Sequence, residues 1–322
     1  MILARHAEAL FWAGRQLERA ETTARALNVT SQNLMHLPPG RAHNEWMALL
    51  TAVGLAESFA EADQPPTSAE VAHFLFADAD NPGSVVAAVF QLRENIRTVR
   101  DRVPVELWEE SNRLHLAMTA AEAQRALEGE PFELFASVRR GCQAISGVVA
   151  EAMPRDEGYT FLVLGRMIER ALTTTRLLRH SWDRSPTDFD AAALLRTVSA
   201  LQAFRRVEGY ETDRVRLNRF LLRADAVPRS VFSCLNRAEA RLSTLADAAP
   251  GLDSSRLLCG RLRSLLEFGD LGEALGEDAP GFLLQLEADL LQLAEVIAGH
   301  SFNPAHGPSL HSQFVRPEAA SR

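Results

Sequence analysis

The sequence predicts an all-α protein, and three observations carry that reading. Ala, Leu, Glu and Arg dominate the 322 residues, runs of β-branched residues are scarce, and apolar residues recur at spacings of three and four, the period of a helix that buries one face. A chain of this length buries a large core and is compatible with one large domain or two of ordinary size.

The first helix is predicted from about residue 4 into the mid-thirties, with Leu10, Ala13, Leu17, Ala20, Ala24 and Leu27 on one face, stopped by Pro38-Pro39-Gly40. A second runs from about residue 42 through Trp46, Leu49, Leu50, Val53 and Phe59 to the break at Gln64-Pro65-Pro66. Thr67 and Glu70 have the spacing of a capping box for a short helix that ends near Phe76. The stretch Asp78-Ala79-Asp80-Asn81-Pro82-Gly83-Ser84 is a turn, and a helix carrying Val85, Val89, Leu92, Ile96 and Val99 follows it. Two more helices are predicted, from about residue 104 to 127 and, after Gly129-Glu130-Pro131, to about 150.

Met153-Pro154-Arg155-Asp156-Glu157-Gly158 breaks the chain at its centre. Beyond it a long helix is predicted from about residue 159 to 182, another starting near Asp188, one from about 253 to 268, and one ending near 298 after breaks at Gly269-Asp270 and between Gly276 and Gly281. Residues 301–322, with prolines, spaced histidines and small residues, read as a flexible tail.

The sequence also repeats itself. Gly14-Arg15-Gln16-Leu17-Glu18-Arg19-Ala20-Glu21-Thr22-Thr23-Ala24-Arg25 returns 151 residues later as Gly165-Arg166-Met167-Ile168-Glu169-Arg170-Ala171-Leu172-Thr173-Thr174-Thr175-Arg176. Leu49, Leu50, Val53 and Phe59 are echoed by Leu194, Leu195, Val198 and Phe204 at an offset of 145. Phe74-Leu75, Pro82, Ser84 and Val85 are echoed by Phe220-Leu221, Pro228, Ser230 and Val231 at 146. Three matches in one order at nearly one offset are the pattern of a diverged tandem duplication of about six helices per copy. Its boundaries are 1–152 and 153–300, the copies packing as one unit.

Charge and cysteine usage exclude several functions. A formal charge of −8, with both signs mixed throughout, supplies no concentrated basic surface for nucleic acid. Cys142, Cys234 and Cys259 are widely spaced, which suits a reducing compartment, and Cys142 and Cys234 sit in apolar helical patterns that read as core. The N-terminus reaches charge at Arg5, unlike a secretory signal, and the most apolar long segment carries Glu287, Asp289 and Glu295, so no membrane span is expected. The expectation is a cytoplasmic protein. No Walker-type phosphate loop, paired Glu-x-x-His motif or ligand-spaced histidine cluster points to a nucleotide or metal; His300, His306 and His311 lack helical spacing.

The candidate site is the repeated Gly-Arg-x-x-Glu-Arg segment. At about 100° per residue Arg166, Glu169, Arg170 and Arg176 share a sector with Leu162 and Leu177, so apolar residues hem in the charges. An enclosed carboxylate must be paired, and Arg, with its planar fork, pairs it best; Glu18 and Glu169 are each expected to meet an Arg across helices. The segment reads first as a pair of interhelical clamps, with two alternatives: a cavity in which spare donors of Arg15, Arg19, Arg166 and Arg170 hold a carboxylate or phosphate, and ordinary solvated faces. The second copy is expected to be the more enclosed, because Leu172 stands where the first has Glu21. Ser84 and Ser230 read as N-caps, with an anion site at the helix start as the alternative, which Arg229 strengthens. Arg93, Glu94 and Asn95 form a charged cluster that Glu239, Ala240 and Arg241 do not reproduce; it reads as a solvated face or an asymmetric site.

The chain resembles the bacterial Alpha-E family of all-helical proteins named for a Glu-Arg motif. The resemblance covers almost the whole chain. It rests on Arg5-His6-Ala7-Glu8, Gly14-Arg15-Gln16-Leu17-Glu18-Arg19-Ala20-Glu21, Asn81-Pro82-Gly83-Ser84 and Arg93-Glu94-Asn95, then on Glu157-Gly158-Tyr159, Gly165-Arg166-Met167-Ile168-Glu169-Arg170-Ala171 and Pro228-Arg229-Ser230-Val231. Members are encoded beside or fused to circularly permuted ATP-grasp proteins, which join a carboxylate to an amine, and often lie near transglutaminase-like proteins. The resemblance therefore implies an accessory protein of a peptide- or amide-ligation pathway, binding an ATP-grasp-type ligase or its acyl or peptide substrate. Two alternatives stand beside it: an enzyme using Glu18 or Glu169 as acid or base, and a purely structural assembly module.

Overall fold

The computed structural model describes residues 2–36, 42–59, 67–129, 131–184, 190–211, 213–246 and 253–302, and among these every regular element is a helix. The proline breaks at 38–40 and 64–66, Asp188, and residues 303–322 with His306 and His311 lie outside the described residues.

The first part of the chain forms α1 (Ala4–Leu34), α2 (Ala42–Ala52), α3 (Ala56–Phe59), α4 (Ser68–Phe76), α5 (Val85–Thr98), α6 (Val105–Leu116), α7 (Ala120–Gly129) and α8 (Pro131–Glu151). The second part forms α9 (Glu157–Asp183), α10 (Ala191–Thr197), α11 (Leu201–Glu208), α12 (Arg214–Arg223), α13 (Val231–Ala246), α14 (Asp253–Phe268) and α15 (Leu271–Ser301).

Three helices expected to be continuous are broken. The stretch through Leu49 and Phe59 turns at Gly54, whose φ of 78° is a left-handed conformation that glycine adopts without strain. The corresponding stretch after Leu194 turns at Ser199, φ 57°, at the same 145-residue offset that relates Phe59 to Phe204. The helix expected over 104–127 divides between Leu116 and Ala120. The break expected over 276–281 is a kink within α15: Asp278 is non-helical and Pro280 follows it.

The capping box expected at Thr67 is present, and Asp156, read only as part of the central break, is a further cap. Thr67 accepts from the backbone N–H of Glu70, whose carboxylate accepts from Thr67 N at 2.7 Å, a complete capping box. Asp156 caps α9, and Pro131 opens α8, where its missing N–H costs no helical bond.

At the centre α1 and α9 lie side by side and run in the same direction. Their contacts join residues a near-constant distance apart in sequence: Ile2 with Glu157, Arg166 with Glu18, and Arg15 with Glu169. α1 packs against α5 and α8, and α6 closes the group by packing on both. α9 packs against α13 and α15, with α14 closing that group in the same way. The buried apolar residues of both groups form one continuous core, which includes Leu10, Phe11 and Leu17 of α1 and Leu162, Ile168 and Ala171 of α9. A fully buried Leu or Phe contributes roughly 1.5–3 kcal/mol, so this seam is a major source of stability.

Candidate functional site

Glycine brings the two motif helices to backbone contact. A Cβ on Gly14 would lie 2.0 Å from the carbonyl oxygen of Leu162, and one on Gly165 would lie 1.9 Å from that of Phe11. No residue with a side chain fits either point, and the close approach sets the reach of the charged residues that follow. Arg follows each Gly by one residue and by five, positions on the same helix face, and Glu follows by four.

The result is an exchange of charge across the seam. Arg15 Nε donates to Glu169 Oε2 at 2.7 Å, and Arg19 Nε to Glu169 Oε1 at 2.8 Å. In the reverse direction Arg166 Nε donates to Glu18 Oε2 at 3.0 Å, while Arg170 donates through Nε and Nη2 at 2.9 and 2.6 Å. Arginine pairs across helices were expected for both glutamates, and both have them.

The two ends of the exchange differ. Glu18 has no solvent exposure and also receives Arg229, from the turn before α13, while a second nitrogen of Arg229 reaches Glu21 at 2.9 Å. Arg25 also pairs with Glu21, at 2.6 Å. The Arg229 turn is fixed from α9: Arg170 donates to Pro228 O at 3.1 Å and Thr174 to Arg229 O at 2.9 Å. Burial alone would raise the Glu18 pKa, but Arg229, Arg170 and Arg166 outweigh it and hold the carboxyl well below the usual range.

Glu169 is also buried, and burial opposes its ionisation, yet Arg19 and Arg15 bring its pKa down to about 2. It borders open space, however. A cavity of about 410 Å³ is lined by Arg15, Arg19, Thr22, Thr23, Gly54, Glu57, Ser58, Gly83, Glu169, Thr173, Arg176 and Glu295, among others. Gly54, Glu57 and Ser58 are exposed, so the cavity reaches the surface between α2 and α3. The expectation that the second copy is the more enclosed is thus reversed. Glu21 was read as the polar exception of the first copy, but three arginines draw it into the core, and Arg229 fills the space above Glu18. At the start of α5 the residue between Pro82 and Ser84 is Gly83, which has no side chain to fill the space near Glu169.

Arg15 Nη1 is buried with no hydrogen-bond partner among the described residues, so the cavity wall holds an unused donor. Burial lowers the Arg15 pKa; Glu169 raises it, and Arg19 and Arg176 push it down again, which marks three guanidinium groups close together. Arg176 donates to Glu287 at 2.7 Å, and Arg179 holds the other oxygen of Glu287 at 3.0 Å. Sequence reasoning missed Glu287, Glu57 and this use of Glu295, because nothing local links α3 or α15 to the motif. Arg176 was visible as the last residue of the repeated segment.

The remaining candidates have local roles. Ser84 and Ser230 cap their helices, accepting from Ala87 N and Ser233 N, each at 3.1 Å. Asn81 braces its turn, donating to Phe74 O and accepting from Gly83 N. Glu157 accepts from the backbone N–H of Ile2. Arg93 bonds Asn112 and Glu94 and lies over the Trp108 ring, and Glu94 also holds Arg97; with half-buried Asn95 this cluster sits at the α5–α6 contact and lines neither Glu-Arg site.

A family model for Alpha-E, described as a predicted alpha-helical domain with a conserved ER motif, matches residues 2–302. The chain belongs to the Alpha-E family. The dipeptide Glu-Arg occurs twice in this Alpha-E chain, as Glu18-Arg19 and Glu169-Arg170, and each arginine holds the other dipeptide's glutamate. Uncharacterised proteins of Mycobacterium bovis and Mycobacterium tuberculosis are 29% and 28% identical to it over 90% of its length. The alignment spans 34% of those relatives, so the chain covers about a third of their length. No solved structure matches. Among the described residues no helix is long and apolar enough to cross a membrane.

Proposed function

We propose that this Alpha-E chain is an accessory protein of a peptide- or amide-ligation pathway, and that it holds an acyl or peptide substrate in the cavity beside Glu169 for an ATP-grasp-type ligase. The observation that carries the reading is the composition of that cavity. Arg15, Arg19 and Arg176 face Glu57, Glu169 and Glu295, with the hydroxyls of Thr22, Thr23, Ser58 and Thr173 between them. A molecule with both a carboxylate and an amine, such as an amino acid or short peptide, matches a wall of both signs, and arginine is the side chain suited to a carboxylate. The mycobacterial relatives are far longer than this chain, which supports a helical unit that acts beside other protein. Three buried free cysteines support a cytoplasmic setting.

The fold belongs to the same proposal as a diverged tandem duplication. The parallel central helices, the matching groups around them, and the left-handed turns at Gly54 and Ser199 support it. Divergence at Gly83 and Arg229 then accounts for one glutamate, Glu18, that is wholly enclosed and serves stability, and one, Glu169, that borders the binding cavity.

Direct acid–base catalysis by the motif glutamates has less support. All four oxygens of Glu18 and Glu169 accept from arginine, and both carboxyls are held in the ionised form, which makes them weak proton acceptors.

The test is calorimetric titration of the chain with amino acids and dipeptides, alone and with the ATP-grasp protein encoded nearby. Arg176→Gln removes a cavity cation while Arg179 still holds Glu287, so the fold is kept and binding weakens about tenfold. Equal binding by Arg176→Gln, or no binding and no complex with the ligase, refutes the proposal.

A further inference from the structure

A second cavity, of about 320 Å³, lies between α8, α9 and α13 and shares no lining residue with the one beside Glu169. Its charged lining consists of Arg166, Arg170, Arg237 and Arg241, with no Asp or Glu. Val149, Leu162 and Met167 supply an apolar wall, and Tyr159 an aromatic one.

The four arginines are not equally engaged. Arg170 uses all three guanidinium nitrogens, on Glu18 and Pro228 O. Arg166 uses Nε on Glu18 and Nη2 on Glu21, at 3.6 Å, leaving Nη1. Arg237 is exposed and Arg241 half-buried, and neither forms an ion pair with a described carboxylate. Arg241 instead lies over the Tyr159 ring at 5.6 Å, as Arg155 does at 4.3 Å. The carboxylates beneath the cavity do not neutralise it, because Glu18 and Glu21 are already shared among Arg25, Arg166, Arg170 and Arg229. Positive charge is therefore in excess in the lining of this cavity, although the whole chain is acidic.

We propose that this cavity binds a phosphate-bearing small molecule, with Arg237 and Arg241 as the principal partners of the anion and Arg166 Nη1 at its floor. Two unpaired guanidinium groups match the charge of about −1.5 to −2 on a phosphate monoester better than the single charge of a carboxylate. The planar guanidinium fork bonds phosphate through two parallel contacts, and the Tyr159 ring with its apolar neighbours gives the organic part of the molecule a surface to lie on. The inference is independent of the function assigned to the cavity beside Glu169.

The experiment is titration of the full chain with pyrophosphate, inorganic phosphate and malonate at matched ionic strength, followed by calorimetry and phosphorus NMR. The expected result is saturable binding of pyrophosphate, tighter than malonate and weakened by salt. The Arg237→Gln, Arg241→Gln double variant, which breaks no ion pair among the described residues, should melt as the native chain does and bind pyrophosphate at least about tenfold more weakly, whereas Arg176→Gln should bind it unchanged. If the double variant does not fold, Arg237→Gln alone, at an exposed residue, carries the test. Absence of saturable binding at millimolar pyrophosphate, undiminished binding by the double variant, or malonate binding as tight as pyrophosphate overturns the proposal.

Discussion

The position of a Cβ on Gly14 lies 2.0 Å from the carbonyl oxygen of Leu162, so the α1 and α9 backbones meet with nothing between them. Gly14→Ala must push backbone against backbone, with no flexible side-chain end to give way, and the core on both sides is continuous. The expected loss is about 3 kcal/mol or more, the upper range for overpacking, and the same holds for Gly165→Ala against Phe11. Gly147 of α8 has open space around it, so Gly147→Ala should stabilise by about 0.5–1 kcal/mol through helix propensity. Urea denaturation of the three variants measures all of these, and equal effects would disprove the backbone contact.

Glu18 and Glu169 have similar partners but different surroundings, and their amide variants should differ accordingly. Glu18→Gln leaves Arg166, Arg170 and Arg229 without the shared carboxylate at a position that has no solvent exposure and lines neither cavity, and removal of one partner from a buried ion pair costs about 3–5 kcal/mol. Glu169→Gln strands Arg15 and Arg19 beside a cavity that water can enter, so its cost falls clearly below that of Glu18→Gln. Denaturation midpoints for the pair decide the matter; equal losses would place both carboxylates in equally closed sites.

Much of this was legible in the sequence because helix period, caps and proline breaks are local signals. The all-helical class, the capping box at Thr67 and Glu70, the caps at Ser84 and Ser230, and the arginine partners of Glu18 and Glu169 all rest on short spacings or on the repeat. What was misread depends on tertiary packing. Leu172 against Glu21 suggested that the second site is the more enclosed, but enclosure is decided by Arg229, more than two hundred residues from Glu18 along the chain. The cavity wall draws on α3 and α15, whose proximity to α1 no local pattern encodes. The turns at Gly54 and Ser199 were hidden because the apolar period continues on both sides of them.

The three cysteines should be inert in the folded chain. Burial pushes the Cys142 thiol far up, and the thiols of Cys234 and Cys259 up to about 12, so almost no thiolate forms at neutral pH. A thiol reagent added to native protein should label none of them within the time that labels all three in denaturant. Rapid native labelling of Cys142, beside the Glu18 cluster, would show that the sealed site opens.

Acid should uncouple the motif helices in a defined pH window. The folded pKa of Glu169, about 2, lies below the ordinary glutamate value of about 4.3, so ionised Glu169 contributes stability that is fully present above the ordinary value. That contribution is lost as pH falls from about 4 through 2, because protonation then removes the charge that Arg15 and Arg19 hold. Glu18 is shifted in the same direction and adds to the slope. Urea midpoints should vary little between pH 7 and 5 on account of these groups and fall steeply below about 4. In Glu169→Gln the starting stability is lower and the fall shallower, since one of the two linked carboxyls is gone. An unchanged slope in that variant would mean that Glu169 titrates normally and that the exchange of charge across the α1–α9 seam does not hold in solution.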